Sequence, residues 1–122
     1  MQSISPETIY RGNSAWEKSL PQITKLTKSP LILGRGIQTN NLRNNIFNDL
    51  KNQKLNVNSA NLQFDCCYED ISRVKNIISN NNNDCVIAAG GGKVLDSGKY
   101  IADSLNIPVS YTHLTLPTTP YV

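Results

Sequence analysis

Between Cys85 and Ala102 the chain reads CVIAAGGGKVLDSGKYIA, and Gly90, Gly91, Gly92, Lys93, Asp96, Ser97 and Lys99 are the residues whose types and spacing could do chemistry. Three consecutive glycines weaken strands and helices alike, so they need a backbone reason. A nucleotide phosphate supplies one: without Cβ atoms the backbone can approach the anion, and the N–H groups of the turn and first helical residues point at it. Lys93 adds positive charge beside the turn, and Asp96, Ser97 and Lys99 follow in the first helical turns, where polar side chains can reach back to the same ligand. The plainer alternative is a strand-to-helix turn with an overlong glycine run and a solvated helix face. The turn is not a Walker loop, because Val94 follows Lys93 and no glycine sits at the required upstream distance. Nor is it GxGxxG, since Leu95 stands where the third glycine belongs.

A turn of this kind needs a strand before it and a helix after it, and the surrounding chain provides both. Cys85 to Ala89 is an apolar run of strand length, and an amphipathic helix reaches to about Leu105. Upstream, Pro30-Leu31-Ile32-Leu33-Gly34 suits a buried parallel strand and runs into a second glycine-containing turn, Gly34-Arg35-Gly36. Residues Met1 to Gly12 read as an irregular or short extended lead-in. A helix from Asn13 or Ser14 to about Thr27 places Trp16, Leu20, Ile23 and Thr27 on one face, with a Ser14–Glu17 capping box and a kink or split at Pro21. Leu42, Ile46, Phe47 and Leu50 mark a helix from Thr39 to about Lys51, and Asn61 to Phe64 reads as a strand nearer a sheet edge. Glu69 or Asp70 opens a helix with Ile71, Val74, Ile77 and Ile78 inward, ended by the asparagine run from Asn80 to Asn83. Pro108 starts a further strand. Helices alternating with strands predict an α/β fold, a parallel sheet covered on both faces whose ligands bind at the carboxyl ends of the strands, where both glycine turns lie.

At 122 residues the chain is long enough for one domain with a real core. Its net charge of +3 is spread rather than blocked, which gives no support to a nucleic-acid partner. No apolar run reaches membrane-spanning length and no signal peptide opens the chain, so no membrane partner and a cytoplasmic location are expected. Cys66, Cys67 and Cys85 read as reduced core or near-core thiols; without CxxC spacing or accompanying histidines they make no metal site.

The last fourteen residues, VSYTHLTLPTTPYV, carry no charge and hold the single histidine, His113. They are similar to the conceptual translation of a transposon-end adapter used in sequencing libraries, whose index and following bases would complete Thr119, Pro120, Tyr121, Val122 and a stop. Native sequence is therefore expected to stop at about Pro108, with residues 109–122 neither a strand nor a natural tail and His113 without functional weight.

Residues 9 to 108 resemble the N-terminal domain of the iron-containing alcohol dehydrogenase superfamily, in particular glycerol dehydrogenase. The resemblance rests on IYRGNSAWEKSL, LILGRG, CYEDISRV and chiefly DCVIAAGGGKVLDSGKYIADSLNIP. It implies a Rossmann-like nucleotide-binding domain, incomplete at its C-terminal end, from a metal-dependent polyol or alcohol dehydrogenase that binds NAD. Gly90, Gly91, Gly92 and Lys93 match the pyrophosphate-binding turn, Asp96 the motif's acid, and Lys99 lies further along the same helix. Gly34 and Arg35 fall at the strand end where NAD-preferring relatives often carry an acid, so Arg35 could instead meet the 2′-phosphate of NADP. The family's Zn or Fe ligands come after the glycine motif, in a helical domain this chain lacks. The resemblance thus implies no catalytic or metal residue here, an inactive chain, and a homo-oligomeric full-length parent acting on a small alcohol or polyol. A dehydroquinate synthase-like or glycerol-1-phosphate dehydrogenase-like enzyme, or a small non-enzymatic nucleotide-binding module, are the alternatives.

Overall fold

The computed structural model describes residues 7–11, 20–35, 40–63 and 68–113. In chain order the elements are β1 (Glu7–Arg11), α1 (residues 20–26), β2 (Pro30–Arg35), α2 (Asn40–Asn52), β3 (Asn58–Leu62), α3 (Tyr68–Asn81), β4 (Cys85–Gly90), α4 (Gly92–Leu105) and β5 (Val109–His113). The five strands form one sheet in the order β1-β5-β4-β2-β3, parallel at every pairing. Strand alternation sends Leu31, Leu33, Val86, Ala88, Val109 and Tyr111 to one face, where Ile71, Val74 and Ile78 of α3 and Val94, Ile101 and Ala102 of α4 cover them. Ile32, Cys85, Ile87 and Ala89 point the other way, beneath Ile23 of α1 and Ile46 and Leu50 of α2. Every residue of β4 is buried, as a strand covered on both faces requires.

The α/β parallel-sheet expectation holds, with differences in detail. Within the lead-in, Glu7–Arg11 is an edge strand; its partner β5 is about a hundred residues away in sequence, so no local pattern announces the pairing. The third strand covers Asn58–Leu62 rather than Asn61 to Phe64, with Ala60 and Leu62 as its buried pair. Two polar residues are fixed by contacts that hydrophobic periodicity does not register. Asp70, 1% exposed, accepts from the Gln63 N–H and from Arg73 Nη2, each at 3.0 Å. Asn83 donates through Nδ2 to the Ser29 carbonyl and to Asn58 Oδ1. Asn82 takes φ 55°, the left-handed backbone expected of the asparagine run. Trp16, Cys66, Cys67 and the Ser14–Glu17 box lie outside the described residues.

The strand expected from Pro108 is present, and it takes in the first five residues of the segment read as neither strand nor tail. Val109–His113 is a strand, hydrogen-bonded between β4 and β1, with Val109 and Tyr111 buried against the α3–α4 layer. The physical reason is that VSYTH alternates in a strand-compatible pattern and the edge of β4 offers it a full ladder of partners. The fit is imperfect on the other face: Ser110 and Thr112 are buried, and among the described residues neither hydroxyl has a hydrogen-bond partner.

Candidate functional site

β2 and β4 are neighbours, with Leu33 beside Ala88, so Gly34-Arg35 and Ala89-Gly90 finish side by side. From β2 the chain passes to α2 on the Ile32 face; from β4 it passes to α4 on the Leu33 face. With α2 and α4 on opposite faces, the strand order reverses between β2 and β4, and at such a switch point open parallel sheets bind ligands in the crevice outside the carboxyl ends of the strands.

Gly90, Gly91 and Gly92 form one rim of that crevice, and they are glycines for different reasons. A Cβ on Gly90 would lie 2.9 Å from Val94 Cγ2, so packing requires it. Gly91 and Gly92 would meet nothing within 4 Å, and neither has a positive φ. Gly91 is the N-cap of α4 in ordinary extended conformation, φ −88° and ψ −167°, with no side-chain cap hydrogen bond. Neither packing nor backbone geometry excludes a side chain at these two positions. Among the described residues nothing fills the space beside the first turn of α4, the end of a helix toward which N–H groups point.

Lys93 is exposed in that first turn, and Asp96 and Lys99 follow on the same outward side of α4. Asp96 and Lys99 lie about 6 and 10 Å along the axis from Gly92, so Lys99 is the most distant of the expected residues. Ser97 does not reach back toward the turn: it is fully buried on the sheet side of α4. Arg35 is exposed at the end of β2 and shares the side of Leu33, the α4 side. The fold thus gathers Gly34, Arg35, Gly90, Gly91, Gly92 and Lys93 at one crevice, with Asp96 and Lys99 trailing along the helix.

Two residues of the site carry no signal in the glycine motifs. Gly98 seats α4 against β4, since a Cβ there would lie 2.6 Å from Ala88 Cβ. Its spacing from the glycine turn, together with the apolar strand, is the clue that could have found it. Arg43, in the second turn of α2, is 5% exposed and lies across Gly34; a Cβ on Gly34 would overlap Arg43 Cδ and Nε and stand 2.6 Å from Cζ. Arg43 Nη1 donates to the Arg35 carbonyl at 3.3 Å, and burial pulls its pKa down from the ordinary arginine value. Its place in a polar stretch, NNLRNN, gives no hint of burial.

At the opposite, amino-terminal edge of the sheet, burial would raise the pKa of Asp84, but bonds from the Thr27 hydroxyl and the Lys28 and Ser29 N–H groups prevail and hold it below normal. Burial, and then the charge of Asp84, push the neighbouring Cys85 thiol up to about 12, the state of an inert core cysteine. Among the described residues there is no group of three or more His, Cys, Asp or Glu arranged to hold a metal ion, and no helix long and apolar enough to cross a membrane.

An open, all-parallel sheet covered by helices on both faces, with a glycine turn at its switch point, defines the class: a Rossmann-like α/β domain. The chain belongs to the iron-containing alcohol dehydrogenase family, whose profile matches residues 6–120. Its fold is similar to that of glycerol dehydrogenase from Schizosaccharomyces pombe, with TM-score 0.75 and 21% identity over 89% of this chain and 27% of that one. A probable glycerol dehydrogenase from Sinorhizobium meliloti 1021 gives 0.64 and 21%, over 89% and 28% of the two chains. Maleylacetate reductase from Rhizobium sp. strain MTP-10005 gives 0.73 and 20%, over 92% and 32%. The chain therefore spans about a third or less of each of these relatives. Comparison with curated proteins finds no match.

Proposed function

We propose that this chain is the cofactor-binding part of a metal-dependent alcohol or polyol dehydrogenase of the glycerol type, and that its crevice takes NAD or NADP. The observation that carries the reading is the pair Gly91 and Gly92, whose missing side chains nothing among the described residues explains. In this reading their N–H groups hold the pyrophosphate, Lys93 adds charge beside it, and Asp96 and Lys99 line the approach along α4. Gly34 and Arg35 face the adenosine end. When bound, the nicotinamide supplies the hydride acceptor for the carbon that bears the substrate hydroxyl. Zn or Fe, the substrate pocket and homo-oligomeric assembly belong to the full-length parent, which this reading makes a cytoplasmic enzyme; the present chain binds but does not turn over.

Gly92→Val tests the site directly. The new side chain enters open space in the first helical turn, so the unfolding free energy should stay within about 0.5 kcal/mol of wild type. The dissociation constant for NADH, followed by its fluorescence, should rise more than about tenfold, or 1.4 kcal/mol. Unchanged affinity in a folded variant would remove the pyrophosphate assignment.

We also propose that residues 109–122 are adapter-derived and that native sequence ends near Pro108. Supporting this, β5 buries two hydroxyls without a hydrogen-bond partner among the described residues, Ser110 and Thr112, on the face that Ile32, Cys85, Ile87 and Ala89 line with apolar side chains. The family match itself runs to residue 120, so similarity does not decide the matter. Genomic DNA that encodes THLTLPTTPYV and then a stop would refute it.

A further inference from the structure

Among the arginines whose side chains are described, Arg43 alone is almost completely buried, and it is buried at the strand ends beside the glycine turn rather than in a distant part of the core. Its position depends on a second residue in a different element. Gly34 leaves a gap at the carboxyl end of β2, and the Arg43 side chain crosses α2 to fill it, with Cδ, Nε and Cζ all in the space a Cβ would need. The guanidinium thereby stands over the strand end next to Ala89 and Gly90, on the face opposite Arg35. The bond from Nη1 to the Arg35 carbonyl fixes it there and ties it to the last residue of β2. A guanidinium is a rigid fork that pairs with phosphate through two parallel N–H bonds, and one already desolvated and held in place loses little further entropy on doing so. In open parallel sheets, the end of the strand beside the glycine strand is where the adenosine ribose is read.

Resting on the dinucleotide reading above, we propose that Arg43 is a specificity-determining residue which reads the 2′-position of the cofactor's adenosine ribose and favours a phosphate there. Arg35 differs in kind: it is exposed, lies on the other face of β2, and contributes to the same interaction only the carbonyl that anchors Arg43. The Gly34–Arg43 pair acts as a unit, since any side chain at Gly34 must displace the guanidinium.

Binding of 2′,5′-ADP and 5′-AMP to the whole chain, measured by calorimetry with NADH as reference ligand, tests the proposal. Wild type should bind 2′,5′-ADP at least about tenfold more tightly than 5′-AMP. Arg43→Met, which keeps an apolar stem across Gly34, should abolish that ratio while leaving 5′-AMP affinity within about twofold. Arg43→Lys retains the charge without the fork and should keep part of the ratio. Gly34→Ala provides an independent route, because it displaces Arg43 without altering its chemistry, and should also lower the ratio. Circular dichroism confirms the fold of each variant. A ratio near one in wild type, or a ratio unchanged in folded Arg43→Met or Gly34→Ala, overturns the role of Arg43 while leaving the dinucleotide site intact. Failure of wild type to bind NADH or either mononucleotide overturns the dinucleotide reading itself.

Discussion

At the scale of single residues, the glycines divide by what surrounds them. Gly34, Gly90 and Gly98 are each pressed by another part of the chain, respectively Arg43, Val94 and Ala88, whereas Gly91 and Gly92 face open space. Substitution should therefore separate folding from binding. Gly98→Ala forces a methyl to within 2.6 Å of Ala88 Cβ, a side chain with no rotamer through which to yield. It should destabilise the fold by about 1–3 kcal/mol, read as a lower denaturant midpoint at unchanged slope. A midpoint equal to wild type would show that α4 does not depend on this close approach. The strand, glycine turn and helix around GGGK were legible from sequence, but which of the glycines serve packing was not, because that depends on neighbours brought in by the fold.

At the scale of elements, the amino-terminal edge of the sheet is held by side chains rather than by the ladder alone. Asp84 receives the Thr27 hydroxyl and the N–H groups of Lys28 and Ser29, joining the turn after α1 to the start of β4. Asn83 reaches the same turn through the Ser29 carbonyl and the start of β3 through Asn58. Because the folded state holds the Asp84 carboxyl below its ordinary value of 3.8, the unfolded chain binds the proton more readily. The contribution is complete above that ordinary value and is lost as pH falls through the lowered folded one. Asp84→Asn should accordingly lower the unfolding midpoint at pH 7 and narrow its difference from wild type at pH 3. An equal deficit at both pH values would show that the charge is immaterial. The helices and β2 and β4 were legible as elements, since hydrophobic spacing and breakers bound them. The displacement of β3 from Asn61–Phe64 to Asn58–Leu62 was not, because NSANL carries too few apolar residues to mark its own register.

At the scale of the whole molecule, β5 is the hinge of the sheet's arrangement. It lies between β4 and β1, and among the described residues β1 has no other strand beside it. Whatever the origin of residues 109–122, Val109–His113 fills a slot that the rest of the fold requires. A chain ending at Pro108 should lose the pairing of β1, open the edge of β4 and uncover the apolar face beneath Val109 and Tyr111. Its denaturant transition should broaden and its fluorescence with a hydrophobic dye should rise. A sharp two-state melt of residues 1–108 would instead mark a self-sufficient module and count against the dehydrogenase-part reading.

By itself the sequence determined the alternation of strands and helices, the buried central strand from Cys85 and the glycine turn with its following helix. These follow from local spacing: periodicities of two and 3.6, breakers, and glycines where a backbone must be approached. Only the tertiary structure decided which strands are neighbours, and so that Gly34-Arg35 and Gly90-Gly92 end side by side across a switch point. It also decided that Ser97 faces the core, that Arg43 lies over Gly34, and that VSYTH pairs as a strand. The reason is the same in each case. A residue's burial and partners depend on elements far away in sequence, and no pattern along the chain records which of them arrives.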